Sequence, residues 1–211
     1  MEIEAFIHAL LALDRLRAAS ILRELADRFT LLEVTEALII PALSQIGERW
    51  ARGDISLAEQ YMGGRICEDA LKPLLSQQGA IRPSQPRLGI VALQDYHLLG
   101  KKIVLSCLRS AGFAPRDFGQ GASATALVEQ VATERIEILF ISTLMLPSAL
   151  AVKSLRSMLD NRQLTTKLVV GGAPFIFDSQ LWLEVGADAM GKSAGDVVRI
   201  LAQLTGESAN V

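Results

Sequence analysis

Histidine and cysteine are scarce in this chain, two of each among 211 residues. Cys67 and Cys107 lie in different segments with no pairing pattern, which argues against a disulfide scaffold and fits a reduced, cytoplasmic setting. Aromatic residues make up only 5% against 50% hydrophobic residues, so the core must be largely aliphatic. An excess of one charge is also lacking. Lys and Arg total 21, Asp and Glu 23, for a net charge of -2. Nucleic-acid binding usually shows a basic face, and this balance gives it no support. There is no long hydrophobic run. The longest, near Ala37 to Leu43, contains Pro41 and is too short to span a membrane. The N-terminus has two Glu among its first four residues and no signal-peptide layout.

What is present falls into two parts. Residues 1–78 read as all helix, with apolar positions at helical spacing. Ile3, Phe6, Ile7, Leu10, Leu11 and Leu13 mark a first helix. Asp14 can cap a second, carrying Leu16, Ala19, Ile21, Leu22 and Leu25. Thr30-Leu31-Leu32-Glu33 and Ser56-Leu57-Ala58-Glu59 are capping-box patterns that open a third and a fourth helix. Pro41 is expected to kink or split the third. Four helices with short loops predict a small antiparallel bundle. Residues 79–87, with Gly79, Pro83 and Pro86, read as a linker.

From residue 88 to 211 the pattern alternates strand and helix. Strand candidates are Leu88–Leu93, Pro115–Phe118, Ile136–Ile141, Leu168–Val170 and Ala187–Met190. Helix candidates are Leu99–Ala111, Ser123–Thr133, Pro147–Leu159, Ser179–Glu184 and Ser193–Leu204. Five βα units predict an α/β domain: a doubly wound, Rossmann-like, five-stranded parallel sheet of flavodoxin-like type.

Small, polar and flexible residues gather at the predicted C-terminal strand ends, where open α/β sheets bind ligands. The first strand hands over to Asp95-Tyr96-His97-Leu98-Leu99-Gly100. The second ends at Gly119 and Gly121, the third at Ser142-Thr143-Leu144, the fourth at Gly171-Gly172-Ala173, and Gly191-Lys192-Ser193 follows the fifth. Taken one by one these have plain structural readings. An Asp two residues before a His is ordinary turn chemistry, and glycine pairs occur in any βα loop. Trp50 and Tyr61 read as packing residues, the two cysteines as small core residues, and His8 as a packing or surface residue. Lys101-Lys102 reads as a solvated helix start.

The combination is more specific than its parts. It reads D-x-H-x-x-G, then 41 residues, S-x-L, then 26 residues, G-G. That order and spacing resemble the cobalamin-binding domain family found in methionine synthase, methylmalonyl-CoA mutase and the corrinoid proteins of methyltransferase systems. VVGGAPF and EVGADAMGKSAGDVV look like the late part of that domain. IGERWARGDISLAEQYMGGRI resembles the helical cap that precedes it.

The resemblance implies a cobalamin cofactor, methylcobalamin or another corrinoid, with its cobalt held from below by His97 in place of the cofactor's dimethylbenzimidazole. It implies that Asp95 bonds the other imidazole nitrogen and that Gly100 leaves room for the corrin. Ser142 would bond the buried base, with Thr143 and Leu144 as wall and Gly171 and Gly172 at the far end of the slot. Tyr96, Leu98, Leu99 and Ala173 belong to the same cofactor-contacting motifs. The helical domain would cover the reactive face, with Trp50, Tyr61 and Met62 near the upper ligand.

This sequence departs from the family pattern in three places. Gln94 stands where a Gly often precedes the motif's Asp, and Lys102 stands where methyl carriers often have Asn. Glu59-Gln60-Tyr61 stands where cobalamin light sensors have a Glu-His pair. Three functions follow. The first is a methyl carrier serving separate corrinoid-dependent methyltransferase subunits. The second is a cobalamin-dependent light or cofactor sensor acting on a regulatory protein. The third is a flavodoxin-like domain that binds another nucleotide or has lost the corrin. A homodimer is compatible with each.

Overall fold

The computed structural model describes residues 2–76, 81–82 and 84–206. The chain forms two compact units, Met1–Ser76 and Gln77–Val211.

In the first unit, α1 (Glu2–Leu11), α2 (Arg15–Ala26) and α5 (Leu57–Leu71) pack with a long helical stretch made of α3 (Leu31–Val34), a π-turn (Thr35–Ile39) and α4 (Ile40–Ala51). The core is Phe6, Ile7, Leu10, Leu22, Leu38, Ile39, Ile46, Ile66 and Leu71, each 3% exposed or less. Asp14 caps α2 by accepting from the Arg17 amide. Both capping boxes close reciprocally, Thr30 with Glu33 and Ser56 with Glu59. The Glu33 and Glu59 carboxyls are held below the usual range by those backbone and side-chain hydrogen bonds.

Pro41 neither splits nor terminates its helix. It follows the π-turn, in which the Ile40 amide donates to the Thr35 carbonyl, and lies in the first turn of α4. The extra residue per turn is one way a helix absorbs a missing N–H and the bulk of the ring. Leu13 and Leu16 are not core residues. Leu13 adopts φ 58° in the α1–α2 turn and Leu16 is 82% exposed.

The second unit is a five-stranded sheet of order β2-β1-β3-β4-β5, parallel at every pairing. This is the flavodoxin-like arrangement, with its topological switch point between β1 and β3. The strands are β1 (Leu88–Leu93), β2 (Arg116–Ala122), β3 (Ile138–Ser142), β4 (Lys167–Gly171) and β5 (Ala189–Gly191). Every residue of β1 is buried and β3 is nearly so, as strands covered on both faces must be. One face packs Leu127, Val128, Val131, Ala149, Val152 and Leu155 of α7 (Ala124–Thr133) and α8 (Leu146–Asn161). The other packs Leu105, Leu108, Val197, Ile200 and Leu201 of α6 (Leu99–Ser110) and α11 (Asp196–Thr205).

Two elements differ from expectation. Gly119 and Gly121 do not end β2. The strand runs on to Ala122, and its pairing with β1 slips twice, from Ile90↔Asp117 to Ala92↔Gln120 and then to Leu93↔Ala122. Each slip inserts one extra residue. The two glycines take φ 78° and 65° there, the conformation that bulges require. Between β4 and β5 the chain forms α9 (Ala173–Phe177) as well as α10 (Leu181–Glu184). Pro174 sits in the first turn of α9, where its missing N–H costs nothing, and Phe175 is fully buried. Residues 77–80 and 83 of the segment around the expected linker lie outside the described residues. Next to them, the Arg82 guanidinium donates to the Ala111 carbonyl at 3.0 Å and stacks over Phe113. Gln85 accepts from the Ala114 amide at 2.7 Å. Among the described residues no helix is long and apolar enough to cross a membrane.

Candidate functional site

The switch point places the β1–α6 loop beside the β3–α8 loop, and one carboxylate ties them together. Asp95 is 2% exposed. Its Oδ1 accepts from the His97 amide at 3.0 Å and lies 2.8 Å from His97 Nδ1. Its Oδ2 accepts from the amides of Leu144 and Met145 at 2.7 and 3.2 Å, 49 and 50 residues away. Burial pushes the Asp95 carboxyl up. The amides of Leu144 and His97, the His97 ring and the Met145 amide together outweigh it and hold the group at about 2. Asp95 is therefore a buried anion whose charge-assisted bonds fix both loops.

The imidazole is thereby oriented. Nδ1 faces the carboxylate, which leaves Nε2 as the nitrogen available to a metal, on a side chain that is 50% exposed. Gln94, just before the motif, takes φ 47°, the left-handed region that glycine accepts without cost. Its N–H donates to the Ala122 carbonyl, and its own carbonyl accepts from the buried Ser148 hydroxyl at 2.9 Å. Gln94 is held in this conformation by these two bonds.

Ser142, Thr143 and Gly172 complete the floor. A Cβ on Gly100 would lie 3.3 Å from Ser142 Oγ, so the first turn of α6 sits directly over that hydroxyl. The Thr143 amide donates to the Gly171 carbonyl. Gly172 has φ 121°, and a Cβ there would meet the Thr143 carbonyl oxygen at 1.7 Å, so no other residue fits. Thr143 is 3% exposed and its Oγ1 has no partner among the described residues.

Asp95, His97, Gly100, Ser142, Thr143, Leu144, Gly171 and Gly172 thus form one cluster, with Leu98 and Leu99 half-buried at the start of α6 and Ala173 at the start of α9. Tyr96 is 71% exposed, and its ring covers Gly121. Trp50, Tyr61 and Met62 belong to the helical unit, on α4 and α5, with Trp50 45% and Tyr61 59% exposed.

Sequence reasoning placed Lys101 wrongly. It is 4% exposed rather than solvated, and its Nζ bonds Asp117 Oδ1 at 2.6 Å and the Gly119 carbonyl at 3.0 Å. A lysine beside a second lysine on a polar helix start carried no signal of burial. Ser148 was also missed, since nothing in the sequence announces a contact 54 residues back to Gln94. Cys67 is buried as expected, and burial with nearby Glu68 pushes its thiol up to about 12, a core residue rather than a nucleophile.

The donor set fits a metal that arrives with most of its own ligands. Among the described residues no three His, Cys, Asp or Glu side chains gather to hold an ion. A single oriented imidazole suits the cobalt of a corrin, which brings its ring nitrogens with it. The orphaned Thr143 hydroxyl and the Ser142 hydroxyl beneath Gly100 are the polar atoms of this cluster.

Comparison with known proteins agrees. Residues 87–201 match a B12 binding domain family model, more than half the chain, and residues 2–74 match a second model described as a B12 binding domain. The chain is 28% identical to monomethylamine corrinoid protein 2 of Methanosarcina barkeri over 211 aligned residues, 90% of this chain and 96% of that protein. It is 29% identical to the dimethylamine corrinoid protein of the same organism over 175 residues, 79% of each. Its fold matches the solved structure of the Methanosarcina barkeri monomethylamine corrinoid protein with a TM-score of 0.80, at 23% identity over 94% of this chain and 96% of that one. The chain belongs to the B12-binding domain family, through its α/β unit and its helical unit alike, and its cofactor is a cobalamin-type corrinoid with its cobalt.

Proposed function

We propose that this chain is a corrinoid protein that carries a methyl group between partner methyltransferases, with His97 as the lower cobalt ligand. The observation that carries the reading is the Asp95–His97 pair at the switch point, 2.8 Å apart, with Nε2 left free of that contact on a half-exposed side chain. When bound, the corrinoid supplies the methyl-accepting and methyl-donating chemistry at its cobalt.

The chain's residues bind and orient. Asp95 keeps the proton on Nδ1 and so keeps Nε2 a lone-pair donor. Ser142 presents its hydroxyl to the buried base, with Thr143 as wall. Gly100, Gly171 and Gly172 let backbone approach, and Tyr96, Leu98, Leu99, Leu144 and Ala173 form the surrounding wall. Trp50, Tyr61 and Met62 of the helical unit are proposed as further cofactor-contacting residues. Corrinoid-dependent methyltransferase subunits are the partners. The similar relatives are named for monomethylamine, dimethylamine and trimethylamine at nearly equal identity. Small N-methylated amines are therefore the methyl source we favour.

Glu59 weighs against the sensor reading. Its carboxylate accepts from both the amide and the hydroxyl of Ser56 at 2.7 Å, as the cap of α5, and Gln60 follows it. The test is reconstitution with cobalamin. We expect a coloured one-to-one complex whose axial protein nitrogen is lost in His97→Ala, and methyl transfer when a methylamine-dependent methyltransferase is added. No binding, or an axial nitrogen that survives His97→Ala, would overturn the ligand assignment. A light-dependent change of oligomer without methyl transfer would replace the carrier by the sensor.

A further inference from the structure

The β1–α6 loop is referenced, residue by residue, to the bulged end of β2. The Gln94 amide donates to the Ala122 carbonyl at 3.2 Å, and the Asp95 carbonyl accepts from the Gly121 amide at 3.0 Å. The Tyr96 ring lies on Gly121, where an added Cβ would fall 2.8–2.9 Å from ring carbons and hydroxyl. His97 follows directly. Yet this end of β2 is a poor foundation taken alone. β2 is an edge strand, its residues are exposed or half-buried, and its pairing slips twice within seven residues.

Something else must hold it, and Lys101 is placed to do so. Its side chain is 5% exposed, reaches from the first turn of α6, and bonds Asp117 Oδ1 at 2.6 Å and the Gly119 carbonyl at 3.0 Å. Asp117 Oδ1 also accepts from the Gly119 amide at 2.8 Å, closing the first bulge. The ammonium therefore grips both sides of the bulge from the same helix that the His97 loop opens.

We propose that Lys101 is a positioning residue for the lower ligand: through Asp117 and Gly119 it fixes the bulged end of β2 on which Gln94, Asp95 and Tyr96 rest, and so sets where the His97 imidazole is presented. This rests on the reading of His97 as the cobalt ligand. A plain alternative is an ion pair that only stiffens an edge strand. The two differ in what a substitution would move. A stiffening pair would affect all of the sheet through global stability. A positioning pair would loosen Gly121 locally and detach the imidazole from cobalt while the cofactor still binds.

Two measurements separate them. In the cofactor-free protein, Lys101→Met is expected to speed amide exchange at Gly121 about tenfold while the amides of β3 keep their protection. In protein loaded with cobinamide, which has no nucleotide base of its own, the EPR spectrum of the Co(II) state reads the axial nitrogen that the protein supplies. The fraction showing it is expected to fall about threefold or more in Lys101→Met and to vanish in His97→Ala. The double variant Lys101→Met/Asp117→Asn removes both partners, leaves no unpaired buried charge, and should behave the same.

Unchanged Gly121 exchange with an unchanged axial fraction overturns the proposal. So does a uniform rise in exchange across the sheet with an unchanged axial fraction. If wild type shows no axial nitrogen, or His97→Ala keeps it, the ligand assignment falls instead, and the exchange comparison still decides whether Lys101 holds Gly121.

Discussion

Replacing Asp95 by Asn tests whether the site is built before any cofactor arrives. The carboxylate accepts four hydrogen bonds, two at each oxygen. An Asn keeps one oxygen and turns an NH2 toward the other pair of donors, so two acceptances are lost whichever way the amide lies. The magnitude follows from linkage. The carboxyl sits at about 2 instead of the ordinary 3.8. At ~1.36 kcal/mol per unit that difference is worth about 2.5 kcal/mol of stability at pH 7. A depressed acid contributes its stability fully above its unfolded value and loses it as pH falls through the folded one. The wild-type advantage should therefore shrink to roughly half by pH 3 and fade below pH 2, since the Asn variant never had it.

The assay is urea unfolding of cofactor-free protein in a Trp50→Phe background. The remaining Trp182 packs against the core of the α/β unit and reports on that unit. With a slope near ~2 kcal/mol per molar, the midpoint should drop by about 1 M at pH 7. A change under ~0.5 kcal/mol, the level of an ordinary surface substitution, would refute the reasoning. So would a gap that stays constant from pH 7 to 3.

Other expectations follow from backbone geometry. Gly172→Ala should destabilise the α/β unit by more than ~3 kcal/mol in thermal unfolding, because its φ of 121° and a Cβ 1.7 Å from the Thr143 oxygen leave no room. Gly64→Ala, with nothing within 4 Å in the interior of α5, should instead stabilise the helical unit by roughly 0.5–1 kcal/mol. Gln94→Gly should stabilise the α/β unit slightly, by roughly 0.5 kcal/mol in thermal unfolding, since it relieves a left-handed residue whose side chain is exposed. Gln94→Val should destabilise the unit by more than ~1 kcal/mol, and a gain in stability there would show that the strain is absent.

Features that depend on local spacing were legible in the chain alone. Capping boxes at Thr30 and Ser56 formed because a hydroxyl and a carboxylate three residues apart meet across one helical turn. β1 and β3 were legible because strands buried on both faces read as unbroken apolar runs, and the motif spacing pointed to the cofactor family. Features that depend on partners distant in the chain emerged only with the fold. The partners of Asp95 lie 49 and 50 residues away, and only the β1–β3 pairing brings their amides to its carboxylate. The glycines of β2 looked like terminators because a bulge and a strand end ask the same φ of the backbone, and only a neighbouring strand tells them apart. Lys101 looked solvated because burial of a charge is set by whether a counter-charge waits inside, and Asp117 becomes its neighbour only after α6 has packed beside β2.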